Sequence, residues 1–413
     1  MAVSIDLLPY SGWKEIAIYS TLILQQPNKI KVDYTMEWNQ DILTAVLHRA
    51  LARGGDYADL FIEHSARNSI SLDAGKIRSI NSGVVAGAGI RVITGTDYVY
   101  MFASDIDEKR LFGLGDEIAQ AVGAGERGSV AGMAARSGNT ILPVKRYPGN
   151  VPLSEKVAMV QRADDAARGY SGKITDAMVR YIDSDQQVYI ATSDGRYGED
   201  RRVRTRLMVQ SIARDGDLRE TGLSAPGRGM GFEFFDLISP ESVAEESARI
   251  ACLLLDADYA PQGTFPVVID NGFGGVIFHE ACGHALEATS VAKNASVFSG
   301  KLGEKIASEV VTAVDDGTLE NGWGSLNIDD EAHPTQRNVL VENGILKSYM
   351  VDKLGSIRMD HPMTGSSRRE SYQFAPTSRM TNTFITPGES TLEEMIGEIS
   401  EGLYCRRMGG GSV

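Results

Sequence analysis

The sequence predicts an α+β fold: an N-terminal mixed α/β domain built on an antiparallel sheet, followed by a β-rich C-terminal domain that carries a candidate metal-binding helix. Three observations point there. Helical and strand patterns are mixed along the chain rather than alternating as βαβ units. Successive strand patterns are separated by short turn signals, so hairpins dominate and a doubly wound parallel sheet is disfavoured. Two of the six histidines, His279 and His284, fall in one six-residue window beside Glu280, directly after an apolar run.

The bulk properties narrow the class. The chain has 413 residues, enough for two or three domains. With 42% apolar and 23% charged residues it has the composition of a globular protein. No run of about 18 apolar residues is present, so no membrane-spanning helix is expected. The first twenty residues lack a basic segment ahead of an apolar one, so no signal peptide is expected. A formal charge of −14 argues against nucleic-acid and acidic-membrane partners. The three cysteines, Cys252, Cys282 and Cys405, are scattered and form no C-x-x-C. A reducing, cytoplasmic setting is expected.

In chain order, residues 1–36 show no period and are expected to be an N-terminal extension, with Met36 a candidate true start. Leu43, Val46, Leu47, Ala50 and Leu51 follow a helical stripe that Gly54-Gly55 ends. Short strands are expected over "DLFIE", "SISLD", "KIRSI", "GIRVI" and "YVYMF", split at Ala74-Gly75, Ser82-Gly83 and Gly95-Thr96-Asp97. Leu111, Leu114 and Ile118 mark a second helix. The stretch Gly123–Gly138 reads as a loop, and no G-K-S/T closes it into a phosphate loop. These elements and the next group define an N-terminal α+β region over 37–230, in two parts of about 37–122 and 150–230.

The second part opens with a helix capped by Ser154 and reaching Arg168. Strands are expected over "MVRYID", "QVYIATS" and "RRVRTRLMVQSIARD". In the last, Val203, Thr205, Leu207 and Val209 alternate with Arg202, Arg204, Arg206 and Met208. Period 2 predicts one buried face and one wet face, with the arginines solvated. A C-terminal domain is expected over 239–413, apparently truncated at its C-terminus. It opens on a helix started by Ser239-Pro240, with Val243, Ile250, Ala251 and Leu254 inward and Cys252 as a small buried hydrophobe. "FPVVI" is expected as a short buried strand, Asn343-Gly344 as a hairpin turn, and Ser390 with Glu393 as the capping box of a last helix.

The chemistry concentrates in "GGVIFHEACGHALE". Imidazoles are favoured zinc ligands, and two on one helix must share a face to hold one ion. An i, i+4 pair is separated by about 40° around the helix, whereas the i, i+5 pair of His279 and His284 is separated by about 140°. A shared ion therefore demands a widened turn, and a π-bulge supplies one. Gly283 is the expected place for it, because glycine tolerates unusual backbone angles. Glu280 can sit beside a metal-bound water, take its proton and return it to a leaving amine. Glu287 offers a third ligand, a hydrogen-bond acceptor behind an imidazole, or a solvated charge. Cys282 offers a ligand for a soft metal, but on a helix it points away from one or both histidines, which favours packing. The bland alternative, two unrelated histidines on a core helix, stands beside the metal reading at this point.

"FHEACGHALEA" closely resembles the signature of the TldD/PmbA (TldD/TldE) family of zinc metalloproteases, on the TldD-like side. The likeness extends to "IDDEAHPTQRNVLVENGILKSYMVDKLGS", "GSSRRESYQFAPTSRMTNTFI", "GLYCRRMGGGSV" and the upstream "ARGGDYADLFIE", all in family order. It covers nearly everything from Met36 onward. The resemblance implies a zinc-dependent peptidase acting on unstructured peptides, with His279 and His284 as ligands and Glu280 as the catalytic glutamate. It also implies assembly with a TldE-like subunit, which lacks the metal motif, or a homodimer. The family's third ligand is a cysteine beyond the "GGG" turn, whereas Cys405 precedes that turn, and His333 and His361 are not at ligand positions. The alternative function is a non-catalytic, truncated or TldE-like subunit that binds peptide or a partner.

Overall fold

The computed structural model of the chain describes residues 38–104, 106–135 and 141–407. The expected extension over 1–36 and the glycine run at the chain's end lie outside the described residues. Helix α1 (Gln40–Ala50) starts where the Asn39 side chain accepts a hydrogen bond from the Asp41 N–H at 2.9 Å. Its stripe buries Leu43, Val46, Leu47 and Ala50, and each of the larger three contributes roughly 1.5–3 kcal/mol. Gly54 and Gly55 follow with φ of 133° and 107°, which ends the helix.

Strands β1 (Tyr57–Asp73), β2 (Lys76–Thr94) and β3 (Asp97–Ser104) then run antiparallel. The five expected short strands are therefore three long ones. Chain reversal occurs only where positive φ is available, at Ala74-Gly75 (50° and 71°) and Gly95 (59°). Gly83 stays extended opposite Arg67 in the ladder, so the expected break at Ser82-Gly83 is absent. Helix α2 (Glu108–Val122) follows. Within the glycine- and alanine-rich stretch, Ala134–Ala135 pairs in parallel with Arg196–Tyr197, adding a short strand to the expected loop. Helix α3 (Leu153–Gly169) starts at Pro152, which leaves Ser154 inside the first turn rather than at the cap.

Strand β4 (Ile174–Thr192) fuses two expected strands, and β5 (Arg196–Asp215) follows it. The main sheet runs β3-β2-β1-β4-β5, and β6 (Leu218–Ser224) extends it from β5. Helices α1 and α2 cover one end of the long strands, over Leu60, Ile62, Ile90 and Val92. Helix α3 and α4 (Pro240–Leu255) cover the other end, over Leu72, Val179 and Leu207. In α4 the inward residue near the end is Leu255, not Leu254, which is 41% exposed. Cys252 is half-buried against Ile174 and its neighbours.

The C-terminal part covers the opposite side of the sheet, where Phe61, Val188 and Ile190 meet Ile328, Ala332 and Tyr372. The wet face expected for the arginine row is therefore partly roofed. Val203, Thr205, Leu207 and Val209 are buried as expected, but Arg202 is buried too. Strand β7 (Val267–Ile269) buries only Val268, with its neighbours exposed, which corrects the expectation of a buried strand. A second antiparallel sheet contains β8 (Ala313–Asp316), β9 (Arg337–Glu342) and β10 (Ile345–Leu346). Asn343-Gly344 joins the last two with φ of 49° and 78°, as its hairpin signal predicts. Helix α5 (Lys353–Met359) precedes the paired strands β11 (Ser367–Arg368) and β12 (Thr377–Ser378). Strand β13 (Thr383–Ile385) then closes the second sheet against β8. The last helix, α6 (Leu392–Gly397), is capped by Thr391 and Glu394, one residue later than expected. Strand β14 (Leu403–Cys405) pairs in parallel with β7. The antiparallel sheets with flanking helices match the α+β expectation, and no helix among the described residues is long and apolar enough to cross a membrane.

Candidate metal centre

The site segment is helical but irregular. Gly272–Gly275 is a 3₁₀ turn, Val276–Phe278 is α-helical, His279–Gly283 is a π turn and His284–Leu286 is again 3₁₀. The widened turn lies where the H-E-x-x-x-H spacing requires it. The role of Gly283 differs from the expected one. Its φ of −56° is ordinary for a helix, so the backbone angle does not require glycine. Space does: a Cβ there would collide with the Met380 sulfur.

The π turn puts both imidazoles on one face. The ring centroids of His279 and His284 are 4.8 Å apart at an interplanar angle of 86°. One ligand atom from each of His279, Glu280 and His284 lies within 4.8 Å of the others, and among the described residues this is the one such histidine, cysteine and carboxylate group. The three side chains are half-buried. Cys282 is not part of the group. It packs against the core cluster that includes Phe278 and Leu286, and burial raises its thiol pKa. His333 and His361 each set Nδ1 against the following proline's carbonyl at 2.8 Å.

Each imidazole has a second partner behind it. His284 Nδ1 lies 3.4 Å from Glu287 Oε1, while its Nε2 lies 3.9 Å from Glu280 Oε2. A proton held on Nδ1 toward Glu287 leaves Nε2 as the lone-pair donor. Glu287 is buried, accepts the Met380 N–H at 3.4 Å and has Arg379 Nη1 at 3.7 Å. Burial raises its carboxyl pKa, with Arg379 and then His284 opposing. The geometry thus places Glu287 behind the ring, not in the donor group. His279 Nδ1 lies 3.4 Å from the Thr383 hydroxyl on β13. Burial lowers the His279 pKa and the adjacent His284 adds to this, which favours the neutral, metal-binding imidazole. Neither Thr383 nor Arg379 carries a spacing signal in the sequence; both arrive through the fold.

The arrangement suits a divalent borderline ion such as zinc: two imidazoles offer ligand nitrogens, with the Glu280 carboxylate beside them. The 4.8 Å spread is wider than the roughly 3.3 Å between two donors on a tetrahedral zinc, so binding requires a small rotation of the half-buried side chains.

Comparison with known proteins gives a consistent picture. Residues 58–127, 146–255 and 262–413 match domain 1, the central domain and the C-terminal domain of the PmbA/TldA metallopeptidases. The chain is 34% identical over 371 residues to the metalloprotease TldD homolog of Haemophilus influenzae, covering 87% of this chain and 76% of that protein. It is 35% identical over 390 residues to the metalloprotease TldD homolog of Buchnera aphidicola, covering 91% and 79%. The solved TldE of Thermococcus kodakarensis shares the fold with a TM-score of 0.70 at 19% identity, over 86% of this chain and 80% of that one.

Proposed function

The chain belongs to the PmbA/TldD family of metallopeptidases, and from that premise we propose that it is a zinc-dependent peptidase with its site at His279, Glu280 and His284. The observation that carries this reading is the π turn, which gathers donors that a regular helix would hold about 140° apart. A divalent ion held there supplies Lewis-acid polarisation of a peptide carbonyl and acidifies water. His279 and His284 are the ligands, with Glu287 and Thr383 fixing their rings. Glu280 takes a proton from the attacking water and gives it to the leaving amine.

The substrates in this proposal are unstructured peptides bound in extended form. Strand β13 supports this: it is an edge of the second sheet and sets Thr383 beside His279. A peptide added to that edge would pass the metal centre and pair by main-chain hydrogen bonds, with weak side-chain preference. Folded proteins resist because their backbone groups are already paired. A TldE-like subunit or a second copy is the proposed partner.

Glu280→Gln tests the assignment. Peptide hydrolysis is expected to be lost while stoichiometric zinc remains, since a carboxamide cannot accept the proton. Loss of zinc together with activity would make Glu280 a ligand. Retained activity would remove it from the chemistry.

A further inference from the structure

The arginine row of β5 is not used by the metal centre. The chain between Trp323 and Glu370 closes over it and leaves a cavity of about 160 Å³. Five arginines line that cavity, Arg67, Arg202, Arg204, Arg368 and Arg369, against the carboxylates of Asp330 and Glu370. Two of the five are neutralised within the wall. Arg202 donates to Asp200 at 2.9 Å and to Asp330 at 2.6 Å, and Arg369 donates to Asp59. Asp330 is fully engaged, because it also accepts the Arg369 backbone N–H at 2.6 Å.

Arg204 and Arg368 differ. Among the described residues neither has a carboxylate partner, and each guanidinium is held by a neutral carbonyl. Arg204 Nε donates to Trp323 O at 3.0 Å and Arg368 Nη2 to Gly324 O at 2.9 Å. Consecutive carbonyls of one turn therefore hold two like charges together, and among the described residues their other N–H donors have no hydrogen-bond partner. Burial, then the adjacent Arg368 and Arg202, push Arg204 down to about 9. Burial also lowers Arg368, with Asp330 opposing and Arg202 adding. Among the described residues, no carboxylate is within salt-bridge distance of either half-buried guanidinium, and the nearby Asp330 is already shared with Arg202 and the Arg369 N–H.

We propose that this cavity is an oxyanion site, in which Arg204 and Arg368 together hold one carboxylate or phosphate group. Planar forks of N–H donors match such groups bidentately, which a lysine pair would not. The cavity also shares a hairpin with the metal centre. Arg368 pairs across from Thr377, and Arg379, just beyond, lies 3.7 Å from Glu287 behind His284. That placement suits a peptide anchored by a carboxylate, but the binding itself needs no metal and does not rest on peptidase activity.

The test is calorimetric titration of the metal-free full chain at low ionic strength. The probes are inorganic phosphate, acetyl-trialanine with a free carboxylate, and the same peptide amidated. Saturable binding of phosphate or of the free acid is expected, with none by the amide. Binding of the acid alone identifies a peptide source, and binding of phosphate alone a phosphate source. Arg204→Met and Arg368→Met are each expected to weaken binding roughly 10- to 100-fold. In anion-free buffer their melting temperatures should be unchanged or higher, because removing one of two unpaired like charges costs little. Arg204→Lys keeps the charge without the fork and serves if a methionine variant does not fold; it too should weaken binding. No saturable binding by either anion, or equal binding by the amide or by the arginine variants, overturns the proposal.

Discussion

Glu287 is the residue on which the orientation of His284 depends. Its carboxylate lies 3.4 Å from Nδ1 and is held in place by the Met380 N–H. An outer carboxylate of this kind fixes the tautomer and increases the basicity of the ligating nitrogen. Glu287→Gln is therefore expected to lower zinc affinity roughly 10- to 100-fold without removing a ligand. Competition against a chromogenic chelator measures it. Unchanged affinity would reduce Glu287 to a buried charge with no bearing on the site.

Among the elements, the site helix depends on a contact with the chain that precedes β13. Gly283 faces the Met380 sulfur so closely that a methyl group has no room. Gly283→Ala should destabilise by about 1–3 kcal/mol and disturb the π turn, since overpacking displaces either the helix or the methionine. Combining it with Met380→Ala should recover part of that loss, and a double-mutant cycle from urea midpoints reads the coupling. Strictly additive effects would show that Gly283 is not required for space. Strand β8 carries a pH dependence. Burial pushes Asp315 up to about 6 despite the two donors of Thr381. The folded chain therefore holds this proton more tightly than the unfolded chain. The stabilisation is fully present below about pH 4 and is lost as pH rises through 6, by up to about 3 kcal/mol. Asp315→Asn, which mimics the protonated form, should gain stability relative to the parent between pH 5 and pH 7.5. A gap in melting temperature that stays constant over that range would contradict the shift.

Over the whole molecule, a buried ionic cluster ties the long sheet to its C-terminal cover. Asp59 on β1 accepts from Arg91 of β2 at 2.8 and 2.6 Å and from Arg369, and Arg91 also reaches Glu331. All four side chains are fully buried. Removing one charge from such a cluster leaves its partners uncompensated in a dry interior. Asp59→Asn is expected to cost roughly 3–5 kcal/mol, read as a lower urea midpoint. A change below 1 kcal/mol would mean that water reaches the cluster.

What the sequence determined by itself is local. The stripe of α1, the period 2 of β5, the Asn343-Gly344 turn and the widened turn implied by His279 and His284 each follow from steric and periodic rules acting over a few residues. Cap positions slipped by one or two residues: Thr391 takes the place expected of its neighbour Ser390, since either hydroxyl could accept the same N–H groups, and the helix after Pro152 starts with no side-chain cap at all. Strand lengths were not legible at Ser82-Gly83, where cross-strand pairing overrides a turn signal. The tertiary structure alone decided which faces are wet. Arg202 and Arg204 look solvated in sequence because alternation says only that they oppose the buried face. Whether another segment covers that second face depends on contacts more than a hundred residues away, at Trp323 and Asp330. The same holds for Thr383 and Met380 around the candidate metal centre: their roles come from distance across the fold, which no local spacing encodes, whereas Glu287, three residues past His284, was legible as an acceptor behind the ring.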